Sequence, residues 1–407
     1  MTAPARSRNR QGRHARQDSP SARSRSRARS RPASPRQRGS AAVPAGPLAA
    51  KAEEVRIPAD ALRRFARGIF HRVGVPADEA AIIADTMVEA DLRGVHSHGI
   101  MRLTVYPQRL RSGVVSPVTK LTVLNESPSI LHLNGGNGMG QVVAYRAMNL
   151  CIARAAASGA AIAAVRGSNH FGAAAYYAMM ALAHGMIGFA TTVSSVNVMA
   201  PWGAIDLLLG NNPIAIAVPA GQEPPPVLDM ALSVAAKGWI ALALHEGRKT
   251  IPAGWALTKE GEPTTDARAA FEGILAPTGG YKGAGLSFMI SLLAGALPGA
   301  AFGTGVKDLY KDLGNIQNVG HLFAAIDVER FQPLGEFTPN VDQAIREVHA
   351  ARKAPGADRI YVPGEPEAER AAERKAKGIP FSRALVETLN GIAREYGAPS
   401  LTSKIEG

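Results

Sequence analysis

Between Ile57 and Gly113 the apolar positions recur at three- and four-residue spacing. In IPADALRRFARGIFHRVG, Leu62, Phe65, Ile69 and Phe70 share one face, which predicts an amphipathic helix. PADEAAIIADTMVEADLRG keeps that period, with Asp78 and Glu79 in its first turn and Gly94 beyond its end, as a helix dipole and a C-terminal stop favour. A third helix is expected around HGIMRLTVYPQRLRSG, stopping at Gly113. From about Val123 the period changes. TVLNESPSILHLNGG has short β-branched runs broken by Asn, Pro and Gly, which reads as strand and turn. The helix VVAYRAMNLCIARAAASG then feeds the strand AAIAAVRGS, and the helix AAAYYAMMALAHG feeds MIGFATTVS. Continued by IAIAVPA and PVLDMA, this alternation predicts an α/β sheet with helices on its faces. From roughly Phe331 the chain carries polar helices and the loop YVPGEPEAER.

Composition sharpens the picture at the N-terminus. The chain has 407 residues, 46% of them hydrophobic and 19% charged, which excludes a wholly disordered protein. Its net charge of +13 is concentrated in residues 1–40, where twelve arginines face one acid, Asp18. That segment holds +11 and leaves only +2 for the rest. Rich in Arg, Ser, Pro and Gln, it has too little apolar surface to offset the entropy of its own ordering. A basic arm for nucleic acid and a transit peptide share this composition; a disordered extension or upstream sequence from a wrong start site is the plainer expectation. Nucleic acid is not expected as a partner, because the body is nearly neutral. With Cys151 as the one cysteine, no intramolecular disulfide can form. Gly167–Ile205 and Gly283–Val306 lack charge, but their Gly, Pro and polar interruptions argue against membrane spans; Gly285–Gly303 is expected as a buried core helix, and the cytoplasm as the compartment.

Five clusters could carry chemistry. Gly94-Val95-His96-Ser97-His98-Gly99 is followed by Arg102 and Tyr106, four residues apart. A carboxylate substrate suits a guanidinium fork, and a carbonyl undergoing reduction needs a proton donor such as histidine. His96-x-His98 lacks an acidic or cysteine partner at ligand spacing, so no metal is expected. Arg166-Gly167-Ser168-Asn169-His170-Phe171-Gly172 follows a predicted strand and precedes a helix, a place where ligands meet an α/β sheet. Ser194, Ser195, Asn197, Pro201-Trp202-Gly203 and Gly210-Asn211-Asn212-Pro213 form turns at strand ends. Asp229-Met230-Ala231 puts an acid at a strand end, as a partner for ribose hydroxyls or as a helix cap. Gly279-Gly280-Tyr281-Lys282-Gly283-Ala284-Gly285 offers backbone amides and one lysine to a phosphate, without the order of a Walker A loop. Gly136-Asn137-Gly138-Met139-Gly140 is not a Rossmann fingerprint.

In this order DLRGVHSHGIMR, SNHFGAAAYY, PWG, LLGNNPIAIAVP, LDMA, IPAGWAL, EPTTD and GGYKGAGL resemble the malate/L-lactate dehydrogenase family, over about residues 57–365. The resemblance implies a mixed-sheet, non-Rossmann nicotinamide-binding domain, with a helical N-terminal and C-terminal domain, in a homodimer with NAD or NADP as cofactor. It implies a helical domain over 53–122, the cofactor-binding and catalytic domain over 123–330, and a C-terminal helical segment over 331–407 that packs back on the helical domain; ahead of these, the composition predicts a disordered tail over 1–52. The implied reaction moves a hydride between NAD(P) and a small 2-hydroxy or 2-oxo acid; reduction of a cyclic imino acid by NADPH is the alternative. His98 and His170 match the family's active-site histidines, either of which serves as the acid/base. Arg102 and Tyr106 match the substrate-carboxylate positions, with Ser97 and Asn212 also expected at the substrate. Ser195, Asp229, Met230, Ala231, Lys282, Gly283, Gly364, Glu365 and Pro366 match cofactor-contacting segments. Two features depart from the pattern: the Arg-rich tail, and Ala284, where an aromatic residue often follows lysine-glycine.

Overall fold

Two prolines set the first helices. Pro58 and Pro76, with φ of −58° and −55°, stand at the N-caps of α1 (Ala59–Arg72) and α2 (Ala77–Leu92), which follow the short strand β1 (Glu54–Ile57). The predicted stripe of α1 is the one that buries: Leu62, Phe65, Ala66, Ile69 and Phe70 pack against α2. Each fully covered Ile or Phe contributes about 2 kcal/mol by removal from water. The structure, a computed structural model, describes residues 54–401. The basic tail of residues 1–52 lies outside the described residues.

The third expected helix is broken. Residues His96–His98 and Ile100–Thr104 form two 3₁₀ turns, and only α3 (Tyr106–Arg111) is α-helical. The break has a local cause. Gly99 is extended (φ −87°, ψ −151°), and the buried Asp91 carboxylate accepts the Ile100 N–H at 2.6 Å, so that donor is lost to a continuous helix.

The sheet follows. β2 (Thr122–Ser127) and β3 (Ile130–Asn134) form a hairpin, α4 (Gly140–Ser158) crosses over to β4 (Ala160–Ser168), and α5 (Ala174–Met180) leads to β5 (Met186–Thr192). β6 (Ile214–Ala217) and β7 (Val227–Met230) come next, then α6 (Lys237–His245), the two-residue strands β8 (Ala256–Leu257) and β9 (Pro263–Thr264), α7 (Ala267–Glu272), β10 (Ile274–Leu275) and α8 (Tyr281–Ile290). β11 (Val319–Asp327) precedes α9 (Leu334–Ala350), α10 (Glu365–Lys377), β12 (Ile379–Ser382) and α11 (Arg383–Glu395). The seven-stranded sheet runs β2-β3-β4-β11-β5-β6-β7, and only β3–β4 is parallel, joined by α4. That order is a mixed sheet and excludes a doubly wound parallel one, in agreement with the expected fold class. Ala161, Ala163 and Val165 alternate into the core beneath α4, whereas β12 pairs antiparallel with β1.

β11 carries a polar residue into the dry centre of the sheet. His321 is fully buried, with Nε2 2.7 Å from Ser168 Oγ on β4 and Nδ1 2.8 Å from Thr192 Oγ1 on β5. Burial pushes its pKa from 6.5 down to about 3. The unfolded chain therefore takes up a proton below pH 6.5 that the folded chain refuses, so stability falls with acid through that window. Lowering the pH from 7.5 to 5 is expected to cost about 2 kcal/mol at this residue. Urea denaturation at the two pH values checks it, and His321→Asn, which cannot titrate, should flatten the slope.

The segment Gly285–Gly303 departs from its expectation as a buried core helix. α8 continues into a π-helical stretch, Ser291–Ala296, and Leu286, Phe288, Met289, Leu293 and Leu297 are all exposed on it. Ser287 and Ser291 face the interior instead, bonded to Asn212. Among the described residues no helix is long and apolar enough to cross a membrane.

Candidate active site

The first histidine cluster is held by Asp91. This carboxylate, at the end of α2, lies 2.7 Å from His96 Nδ1 and accepts the Ile100 N–H, while Arg374 of α10 donates to the Asp91 carbonyl. His96 is thereby turned to a structural partner, and His98 points elsewhere. Gly99 sits so close that a Cβ there would meet the Asp91 carboxylate at 2.1–2.3 Å. Gly99→Ala is expected to cost about 1–3 kcal/mol of stability and to lower turnover by misplacing His98; thermal unfolding and steady-state kinetics read both.

His98 and His170 stack, with ring centroids 5.4 Å apart and planes at 16°. His98 Nδ1 is 2.9 Å from Ser97 Oγ, which places Ser97 behind the ring. His170 Nδ1 is 2.7 Å from the Tyr106 hydroxyl and accepts the Gly172 N–H at 3.3 Å. Both imidazoles are recessed but half-open. Burial first, and the Arg102 charge second, lower His98 to about 3 and hold His170 well below the usual histidine range. Burial raises the Tyr106 hydroxyl above its ordinary value. Two stacked rings beside a guanidinium are thus kept neutral.

Arg102 is 8% exposed, and no acidic side chain pairs with it among the described residues. Its Nη1 donates to the Tyr310 hydroxyl, its guanidinium lies 5.4 Å from the Tyr310 ring centroid, and its Nε has no hydrogen-bond partner. A buried cation without a counter-charge is costly unless an anion comes to it. Tyr310 escaped the sequence reading, since no motif marks it and it lies 208 residues from Arg102. Arg109 holds the Tyr310 loop in place by donating to the carbonyls of Leu309, Asp312 and Asn315.

The Gly136–Gly140 run serves packing. Asn169 Nδ2 donates to the Gly138 carbonyl at 2.8 Å, and a Cβ on Gly140 would meet the Asn169 and His170 carbonyls at 2.1 and 2.4 Å. The start of α4 is thereby pressed against the backbone that carries His170. Asn212, expected at the substrate, is fully buried instead. Its Oδ1 accepts the Ser194 N–H, and its Nδ2 lies within 3.0 Å of the Ser287 carbonyl and of both Ser287 and Ser291 hydroxyls. No donor is left for a ligand, so this residue shapes the Ser194 turn from behind.

The expected cofactor segments lie beside one another. Val227 on β7 donates to the Pro363 carbonyl, which brings Gly364-Glu365-Pro366 against the strand of Asp229 and Met230. Thr278 donates to the Leu232 carbonyl, which brings the Lys282 turn to the end of the same strand beyond Ala231. Asp229 accepts the Ala175 N–H at 3.3 Å and so caps α5; the atoms crowding its carboxyl raise its pKa, although the residue is open to solvent on its outer side. Lys282 is exposed in the first turn of α8 with no acidic partner among the described residues, and Gly283 packs so tightly on the Thr278 carbonyl that a Cβ would sit 2.0 Å from it. Ser195 is buried, its carbonyl bonded to Leu309 N–H beside Tyr310. The Glu365 side chain faces inward, accepting the Val362 N–H and pairing with His349 at 2.9 Å, so only its backbone is available to a ligand.

Residues 57–390 match the family model described as malate/L-lactate dehydrogenase. The chain is 42% identical over 355 residues to a malate dehydrogenase of Pyrococcus horikoshii, covering 85% of this chain and 97% of that one. The solved structure of Pyrococcus horikoshii malate dehydrogenase superposes with a TM-score of 0.79 at 39% identity, covering 86% of this chain and 99% of the other. A ureidoglycolate dehydrogenase (NAD(+)) of Escherichia coli K12 is 32% identical over 325 residues, covering 80% and 92%. A (2R)-3-sulfolactate dehydrogenase (NADP(+)) of Chromohalobacter salexigens is 36% identical over 259 residues, covering 64% and 77%. By sequence and by fold, the chain belongs to the malate/L-lactate dehydrogenase family.

Proposed function

We propose that this protein is a nicotinamide-dependent oxidoreductase that moves a hydride between its cofactor and a small 2-hydroxy or 2-oxo acid. The observation that carries the reading is Arg102: a buried guanidinium without an acidic partner among the described residues, set beside two neutral, stacked histidines. A substrate carboxylate supplies the missing counter-charge, and the planar fork fixes its orientation. Tyr106 and Ser97 act on the substrate through the two histidines they touch.

His170 is the group we assign as acid/base. Its Nδ1 accepts from Gly172 N–H and from the Tyr106 hydroxyl, so the ring proton sits on Nε2, ready to bond to the substrate oxygen. His98 keeps the neighbouring face neutral and apolar enough to exclude water. The residues present fit a dinucleotide. Lys282, exposed at the positive end of α8, suits a phosphate, and Asp229 suits ribose hydroxyls, with Ser195, Met230, Ala231, Gly283 and the Gly364–Pro366 backbone around them. The bound nicotinamide supplies or accepts the hydride. We further place the protein in the cytoplasm, with its NAD(P) pool, and as a homodimer that covers the exposed Leu286–Leu297 stripe. A division into a helical domain and a sheet domain, with the reaction between them, belongs to the same proposal.

The test is turnover of the full-length chain with NADH and NADPH against oxaloacetate, pyruvate and a cyclic imino acid. Turnover of an open-chain oxo acid supports the reading and identifies the cofactor. Turnover of the imine alone replaces it with imine reduction, and a folded protein that binds neither cofactor refutes it.

A further inference from the structure

Behind Tyr106 and His170 lies a cavity of about 10 Å³, room for the centre of a single water molecule. It is lined by Tyr106, Arg109, Val115, Asn169, His170 and Gln317, among others. Three of these residues keep one buried polar atom each without a partner: Arg109 Nε, Asn169 Oδ1 and Gln317 Oε1. Their remaining polar atoms are engaged. Arg109 donates to three loop carbonyls, Asn169 Nδ2 to the Asn137–Gly138 turn, and Gln317 Nε2 to the Lys307 carbonyl at 2.9 Å. One donor and two acceptors on residues that line a water-sized space match the two to four bonds an internal water makes. A dry cavity would leave all three atoms at a desolvation cost that native interiors rarely carry.

We propose that this chamber holds one water molecule and that the water, through the Tyr106 hydroxyl, delivers a proton to His170 Nδ1 as Nε2 gives its own to the substrate. The proposal rests on the oxidoreductase reading above. In the reducing direction the substrate oxygen takes the proton from His170 Nε2. Nδ1 then takes the proton of the Tyr106 hydroxyl, and the Tyr106 oxygen takes one from the water. The water recovers its proton from the medium, which leaves the new proton on Nδ1 and Nε2 bare. After product leaves, Nε2 takes a proton from solvent on its open side and the Nδ1 proton returns through Tyr106 to the water and the medium, so a net one proton enters per turnover, the tautomer is restored and no electrons move along the chain. Histidine thereby works as a conduit. This solves a problem the site sets itself, because a neutral imidazole that gives up its Nε2 proton would otherwise be left as an imidazolate.

The test uses Val115→Ile, which adds one methyl group to the chamber and touches no polar atom. Single-turnover hydride transfer is followed in mixtures of H2O and D2O, beside a high-resolution crystal structure of the unliganded enzyme. Wild type is expected to show one ordered water on Gln317 and Asn169 and a curved dependence of rate on deuterium fraction, the mark of several protons in flight. In Val115→Ile the water is lost, the dependence becomes linear, and the rate falls on the order of tenfold to a hundredfold with KM unchanged. Val115→Ala, which leaves the space, keeps the curvature. A dry chamber in wild type, a linear wild-type dependence, or an unchanged rate and curvature in a water-free Val115→Ile overturns the proposal. Failure of the oxidoreductase reading looks different: wild type then transfers no hydride, and the crystallographic water alone decides.

Discussion

Arg102→Leu should lower kcat/KM for the 2-oxo acid about a thousandfold, with a rise in KM and a fall in kcat together. Losing one partner of a desolvated, hydrogen-bonded charge pair costs about 2–5 kcal/mol, and at 1.4 kcal/mol per decade a thousandfold change is about 4 kcal/mol. Leucine restores most of the apolar contact with Tyr310, so the loss should fall on the substrate while cofactor binding stays intact. The same variant carries an internal check on electrostatics. The Arg102 charge is one cause of the depressed His98 and His170 values, after burial. Removing it raises both, so the acid limb of the pH–rate profile should move to higher pH than in wild type. A variant with wild-type kcat/KM, or with an unmoved acid limb, would contradict the assignment of this residue.

His170→Ala should act on the chemical step alone. A positioned proton donor contributes about 10²–10⁴-fold, so kcat is expected to fall about a thousandfold while KM changes by less than about threefold. Small imidazoles added to the medium should recover part of the rate, since the substitution opens a ring-sized space between His98 and Tyr106. His98→Ala offers the contrast. His98 touches Ser97 but has no bond to Tyr106, so its loss is expected to cost less than that of His170. Equal losses at both positions would move the acid/base role from one ring to the stacked pair.

Much of this was legible along the chain. Period-3.6 spacing marked α1 and α2, and the strand-then-helix rhythm marked β3 to β7, because most of those elements bury a continuous stripe, whereas β2, exposed along its whole length, was marked by its β-branched run and turn residues. The two histidines and Arg102 stood in short, unusual loops between them. What the sequence hid was set by distance. β11 has no partner near it in the chain, so nothing local announces that it enters the middle of the sheet. Tyr310 and Arg109 act through contacts made across roughly two hundred residues, Gln317 bonds the Lys307 carbonyl within its own loop, and none of the three belongs to a motif. Asn212 misled for the opposite reason. Asparagine in a turn reads as a ligand contact, whereas here its positive φ of 21° and its four-way bonding make it a brace. The apolar run after Lys282 reads as interior from composition alone, because a surface stripe with no visible partner looks the same as core.

The central place of β11 bears on how the protein is made. During synthesis β4 and β5 emerge more than one hundred residues before the strand that will lie between them. Over that interval the growing polypeptide carries two open, apolar strand edges, which are templates for pairing with other chains. The sheet therefore closes only near the end of translation, and the β1–β12 clasp forms later still. Ribosome-bound fragments ending before Val319 should be sticky and dependent on chaperones, and truncated products should be cleared by proteolysis without accumulating as half-folded enzyme.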